Sequence, residues 1–174
     1  EDGIRDKLVT GVQTCALPIC GHELVLKTDA IVGDVHFFAD DPPDAVARKA
    51  LRVNLSDLAS KGAQPVGFLL TLALPKEVGD KWLKPFSRGL GADARRYHCP
   101  LLGGDTVRTP GPVTISIAAF GTVAKGTMVR RTSAQVGDHV VVTGTIGDAA
   151  LGLRSEEHTS ELQSLAYLVC RLLL

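Results

Sequence analysis

Three aspartates carry the strongest chemical signal in this sequence: Asp29 in KTDAIVGDVHF, Asp57 in NLSDLASKGA and Asp105 in LLGGDTVRTPG. Each lies beside strongly hydrophobic residues. An unpaired carboxylate in an apolar setting is costly, so each needs a cation or hydrogen-bond donors. Oxygen ligands brought together from separate elements suit Mg²⁺, which keeps water and substrate phosphates as its remaining ligands. Solvated turns and helix caps also place aspartates at strand ends. Asp57 differs, because its neighbours Leu55, Leu58 and Ala59 continue an apolar helical pattern. It shares a face with Asn54 and Lys61, and a local ion pair with Lys61 is the alternative to a ligand role.

Other residues fit phosphate chemistry less specifically. Gly103-Gly104 would let backbone approach a phosphate with no side chain in the way, although a glycine pair is also an ordinary turn. Arg130-Arg131 offers guanidinium forks suited to bidentate phosphate binding, or a solvated basic pair. His36 lies among apolar residues in VHFF, where a packed histidine is the plain alternative to a ligand. Asp40-Asp41 precede Pro42-Pro43, where negative charge suits a helix start. Neither GxxxxGK[ST] nor the protein-kinase motif set is present, so any ATP handling uses another fold.

The elements that must position these residues alternate. Glu23 to Thr28 reads as a strand. Pro42-Pro43 opens a helix over Asp44 to Lys61, with Val46, Ala47, Ala50, Leu51, Leu55 and Leu58 at helical spacing and Gly62 as its stop. Val66 to Leu74 is an apolar run read as a buried strand. Asp80 to Tyr97 is a second amphipathic helix. Leu101-Leu102 leads a short strand into Gly103-Gly104, Val113 to Val123 alternates as a strand, and His139 to Thr143 is another, with a helix possible from Asp148. Interleaved strands and helices predict an α/β (α+β) domain with a mixed sheet and helices on one face.

With 174 residues, 45% of them hydrophobic, the chain is long enough for one domain with a sizeable core. Lys and Arg balance Asp and Glu at 19 each, so no basic field points to nucleic acid. No apolar run reaches the roughly 18 residues of a membrane span, and no signal-peptide core opens the chain. A cytoplasmic protein is expected. The scattered cysteines (Cys15, Cys20, Cys99 and Cys170) read as free thiols. The two ends break the pattern of the middle. Residues 1–20, with VTGVQTCALPI, and residues 154–174, with RSEEHTSELQS, resemble translated sequencing adapters and are expected to make few contacts with a core of residues 21–153.

Taken in order, the segments of that core resemble one family. KTDAIVGDVHF is similar to the TDTLVEGVHF signature of thiamine-monophosphate kinases, and KALRVNLSDLASKGAQP to their KALAVNLSDLAAMGA helix. LLGGDTVRTPGPVTISI resembles their GGDT loop and strand, and MVRRTSAQVGDHVVVTG their RSGAxPGD segment. The resemblance covers nearly all of Leu24 to Leu153. It implies the fold of the N-terminal domain of the aminoimidazole-ribonucleotide synthetase superfamily. It also implies transfer of the ATP γ-phosphoryl group to thiamine monophosphate with Mg²⁺, giving thiamine diphosphate without a covalent enzyme intermediate. By motif position, Thr28, Asp29, Asp57 and Asp105 would be Mg²⁺ ligands. Gly104, Asp105 and Arg131 would contact ATP, and His36 would contact thiamine monophosphate. Lys27 stands where the family often has serine or threonine. A homodimer formed through the sheets is implied, with Val66 to Leu74 and Val113 to Val123 supplying apolar surface. The acidic GxGDDAA motif and the second domain are missing, so the fragment is expected to leave its active site incomplete. Two other readings fit the same words less closely: another ATP-dependent member of the superfamily, and a non-catalytic dimerisation or nucleotide-binding module.

Overall fold

A computed structural model of the chain describes residues 21–139 and 141 in full, together with the backbone of Cys15–Ile19. The elements are β1 (Cys15–Ile19), β2 (His22–Val32), α1 (Pro43–Ala59), β3 (Gln64–Leu74), α2 (Asp80–Arg96), β4 (Leu101–Arg108) and β5 (Thr114–Ala124). Of the strand expected at His139 to Thr143 only His139 and Val141 are described; the helix from Asp148 and the stretches 1–14 and 154–174 lie outside the described residues.

The five strands form one mixed sheet in the order β1-β2-β5-β3-β4. Pairing is antiparallel except between β3 and β4, which run parallel across the α2 connection. β5 therefore enters between β2 and β3, although it is the last of the described strands in sequence. β1 pairs with β2 from Cys15↔Leu26 to Ile19↔His22, so the described part of the stretch expected to make few contacts lies in the sheet; residues 1–14 and 20 lie outside the described residues.

Both helices lie on one side of the sheet, as the alternation predicted. α1 covers β2, β5 and β3, and α2 packs against α1. Proline in the first turn suits the start of α1, and Gly62 at φ +73° turns the chain out beyond its end. The core joins Val46, Ala50, Leu51, Leu55 and Leu58 of α1 to Val25, Ile31, Phe68, Leu70, Leu72, Ile115 and Ile117 of the strands. Trp82 and Phe86 of α2 stack at 4.7 Å. Arg52 clamps the helices together by a bidentate pair with Asp93, at 2.6 and 3.1 Å. Asp93 is 4% exposed, so this pair fixes the helix register while satisfying a buried carboxylate. Burial pushes the Cys99 thiol up to about 11, consistent with a packed, unreactive thiol.

The apolar run of β3, read as a buried strand that also supplies apolar surface, is buried on alternate residues. Phe68, Leu70, Leu72 and Leu74 point inward, while Val66 and Leu69 are exposed. The reason is layering: both helices occupy one side, and among the described residues no element covers the other. Leu102 and Val107 of β4 are likewise exposed, Leu102 by 57%, and Leu101, level with Phe68, is exposed at the sheet edge.

Candidate active site

Strand alternation decides which β2 residues can act together. Val25, Lys27, Asp29 and Ile31 share the face beneath α1, and Val25, Lys27 and Ile31 are buried there. Lys27 is the unexpected member. Its side chain is 6% exposed, and its Nζ lies 3.0 Å from Asp29 and 2.8 Å from Asp57. Burial alone would lower the pKa of this ammonium. Hydrogen bonds to Asp57 and Asp29, with their charges, outweigh it and hold the group above its ordinary value. Asp57 thus pairs with Lys27 across the helix–sheet interface, not with Lys61 along its own helix. Two carboxylates beside one ammonium offer oxygen donors beyond those the lysine uses, which is chemistry that fits a hard divalent ion.

Asp29 also lines a cleft of about 530 Å³ beside the β2–α1 connection, together with Asp34, His36, Phe37, Asp41 and Lys49. A tight turn builds its wall. His36 N–H donates to the Val32 carbonyl at 2.8 Å, and the His36 Nδ1 accepts from Val32 N–H at 3.1 Å. With Nδ1 an acceptor, the neutral ring carries its proton on Nε2. Lys49 of α1 donates to the His36 carbonyl and ties the turn to the helix.

Lys61 is buried just past the end of α1, and its carbonyl accepts from Val129 N–H at 3.2 Å. Burial, then the charge of Arg131, lowers the Lys61 pKa, while Asp57 opposes them. Arg131, in a 3₁₀ turn over Arg131–Ser133, is therefore close enough to couple to the same end of the helix.

The remaining expected residues lie apart. Thr28 is exposed on the opposite face from Asp29, because neighbouring residues of a strand point opposite ways. Asp105 pairs with Thr71, in a row that continues through Ser116 to Ala30; the Asp29 row runs through Ile117 and Leu70 to Gly104. The two aspartates are one residue out of phase, at opposite sides of the sheet. Among the described residues, no group of three His, Cys, Asp or Glu side chains could hold a metal. The expected convergence of all three aspartates within this chain is corrected accordingly. Asp105 Oδ1 instead accepts from Thr106 N–H at 2.8 Å. Gly104 has a packing reason of its own: a Cβ there would lie 1.9 Å from the Leu70 carbonyl oxygen, so only glycine lets β4 pair with β3.

Residues 12–123 match the model of the family described as "AIR synthase related protein, N-terminal domain". The chain belongs to this family. Within it, the chain is 44% identical over 136 residues to the thiamine-monophosphate kinase of Caulobacter vibrioides, covering 78% of this chain and 39% of that protein. Its fold matches a structure of AaThiL complexed with AMPPCP and TMP, with TM-score 0.81 at 31% identity, over 90% of this chain and 50% of the other. The thiamine-monophosphate kinase of Stenotrophomonas maltophilia K279a matches with TM-score 0.74 at 40% identity, over 82% and 44%. The chain spans less than half the length of the curated relatives it matches. Among the described residues, no helix is long and apolar enough to cross a membrane.

Sequence reasoning weighed Lys27 only as a substitution and Lys61 only as a partner for Asp57. The signal for Lys27 was available: a lysine two residues from Val25 and two from Asp29, in the inward phase of a strand, requires a buried counter-charge.

Proposed function

We propose that this chain is the N-terminal part of a cytoplasmic thiamine-monophosphate kinase, which phosphorylates thiamine monophosphate with ATP. The observation that carries this reading is the continuity from the His36 cleft through Asp29 and Lys27 to Asp57, built from the words that resemble the family, in a chain similar to kinases of that name. Phosphoryl transfer between two phosphates depends on positioning and charge neutralisation. In this reading Asp29 and Asp57 hold Mg²⁺, which when bound neutralises phosphate charge. His36 presents its Nε2–H toward thiamine monophosphate. Arg131 and the edge-strand residues Gly104 and Asp105 serve ATP. Thr28, with its hydroxyl on the far face of the sheet, is left out of the metal set. Asp105 belongs to it only through groups beyond this chain's own cluster.

The deciding experiment uses the intact protein that carries this domain, incubated with ATP, Mg²⁺ and thiamine monophosphate, with formation of thiamine diphosphate followed by chromatography. Turnover of thiamine monophosphate is expected. ATP consumption with an aminoimidazole-ribonucleotide precursor, and none with thiamine monophosphate, would move the chain to another branch of the family.

The sheet face left uncovered among the described residues supports a homodimer in this reading, because Val66, Leu69, Leu102 and Val107 would otherwise meet water. Sedimentation of the chain at micromolar concentration should give a dimer, and Leu69→Glu should convert it to monomer. A monomeric parent chain across that range would defeat the assignment.

A further inference from the structure

We propose that Lys27 is a resident cation: its ammonium occupies the place between Asp29 and Asp57 that a divalent ion would otherwise take, and so sets how many divalent ions the pair accepts. The inference rests on the proposed metal-facing role of those two aspartates. Three observations carry it. Nζ is within hydrogen-bonding distance of both carboxylates at once, at 3.0 and 2.8 Å. These are ammonium–carboxylate distances, well beyond the roughly 2.1 Å of a Mg–O bond. The lysine is also held in place. Its strand pairs on both sides, Lys27 opposite Ala119 in β5 and its neighbour Leu26 opposite Cys15 in β1, and its stem is buried under α1. Finally, the carboxylates are only partly covered, 44% and 22% exposed, so their outer oxygens remain open to an ion beside the ammonium.

A merely structural lysine and a resident cation differ in what a divalent ion can replace. Removing the ammonium leaves two carboxylates facing each other, which repel unless a cation enters. The test uses the full 174-residue chain with Lys27→Met and Lys27→Ser. Thermal unfolding is compared in EDTA, in MgCl₂ and in NaCl of matched ionic strength, and bound Mn²⁺ is counted by electron paramagnetic resonance. In EDTA the variants should unfold about 5–10 °C below the parent. MgCl₂ but not NaCl should restore most of that loss, and each variant should bind one more Mn²⁺ than the parent. Adding Asp57→Asn to Lys27→Met should abolish both the Mg²⁺ response and the extra Mn²⁺. Variants no more responsive to Mg²⁺ than the parent, with no added Mn²⁺, would overturn the proposal. So would variants that fold in neither EDTA nor MgCl₂, since the lysine would then be a core element that no metal replaces. Neither readout involves thiamine monophosphate, so failure of the kinase assay and failure here are separate results.

Discussion

In the intact protein, on the proposed kinase reading, Asp57→Asn is expected to lower kcat by about 100-fold or more, the size of loss seen when one preorganised electrostatic group is removed from a transition state. The fold should survive. The asparagine oxygen can still accept from Lys27, and Asp29 keeps its own 3.0 Å contact with that ammonium. The missing charge falls on neutralisation of the transferring phosphoryl group, so kcat should drop more than the KM for thiamine monophosphate rises. Steady-state kinetics at limiting Mg²⁺, paired with thermal unfolding of the same preparation, separates the two effects. A well-folded variant with unchanged kcat would remove Asp57 from the active site and leave it as a structural partner of Lys27.

Two adjacent glycines should respond unequally to the same substitution. Gly104→Ala should destabilise the domain by about 3 kcal/mol, toward the upper end for an overpacked site, because the new methyl meets backbone that cannot move aside. The collision is with the Leu70 carbonyl oxygen at 1.9 Å, within the β3–β4 ladder. Gly103→Ala would meet only the Leu69 Cδ2 at 3.5 Å, an ordinary contact, and should lie within about 0.5 kcal/mol of the parent. Urea unfolding midpoints measure both, and amide exchange along β4 reports whether the edge strand has peeled from β3. Equal midpoints for the two variants would refute the packing account. The glycine pair would then be free to be explained by phosphate approach alone, as its sequence first suggested.

Much of the local structure was legible before any coordinates. The helical spacing of Val46, Ala47, Ala50, Leu51, Leu55 and Leu58 marked α1, and those residues do face the core. The alternation through Val113 to Val123 marked β5, whose odd-numbered residues from Ile115 to Val123 are buried. These signals survive because side-chain direction within a helix or strand follows from backbone geometry over a few residues. Asp29 and His36 line one cleft because they lie only seven positions apart along a strand and its turn.

Tertiary structure alone decided the rest. The alternation of elements placed the helices on one face of the sheet, but the near-continuous apolar run VGFLLTLAL does not say which of its residues turn toward them. Strand order depends on pairing between distant segments, and no local pattern marks β5 for the gap between β2 and β3. That order determines the cross-sheet rows. A shift of one residue in a row sends a side chain to the opposite face, which separates Asp105 from Asp29 although their surrounding words look alike. The partner of Asp57 was decided in the same way. Lys61 is four residues along the helix and was the local choice, but α1 lies across β2 and brings Lys27, thirty residues earlier in the sequence, to 2.8 Å. An ion pair between a helix and a sheet exists only once the two have packed, and there the low exposure of Lys27 makes the charged contact necessary.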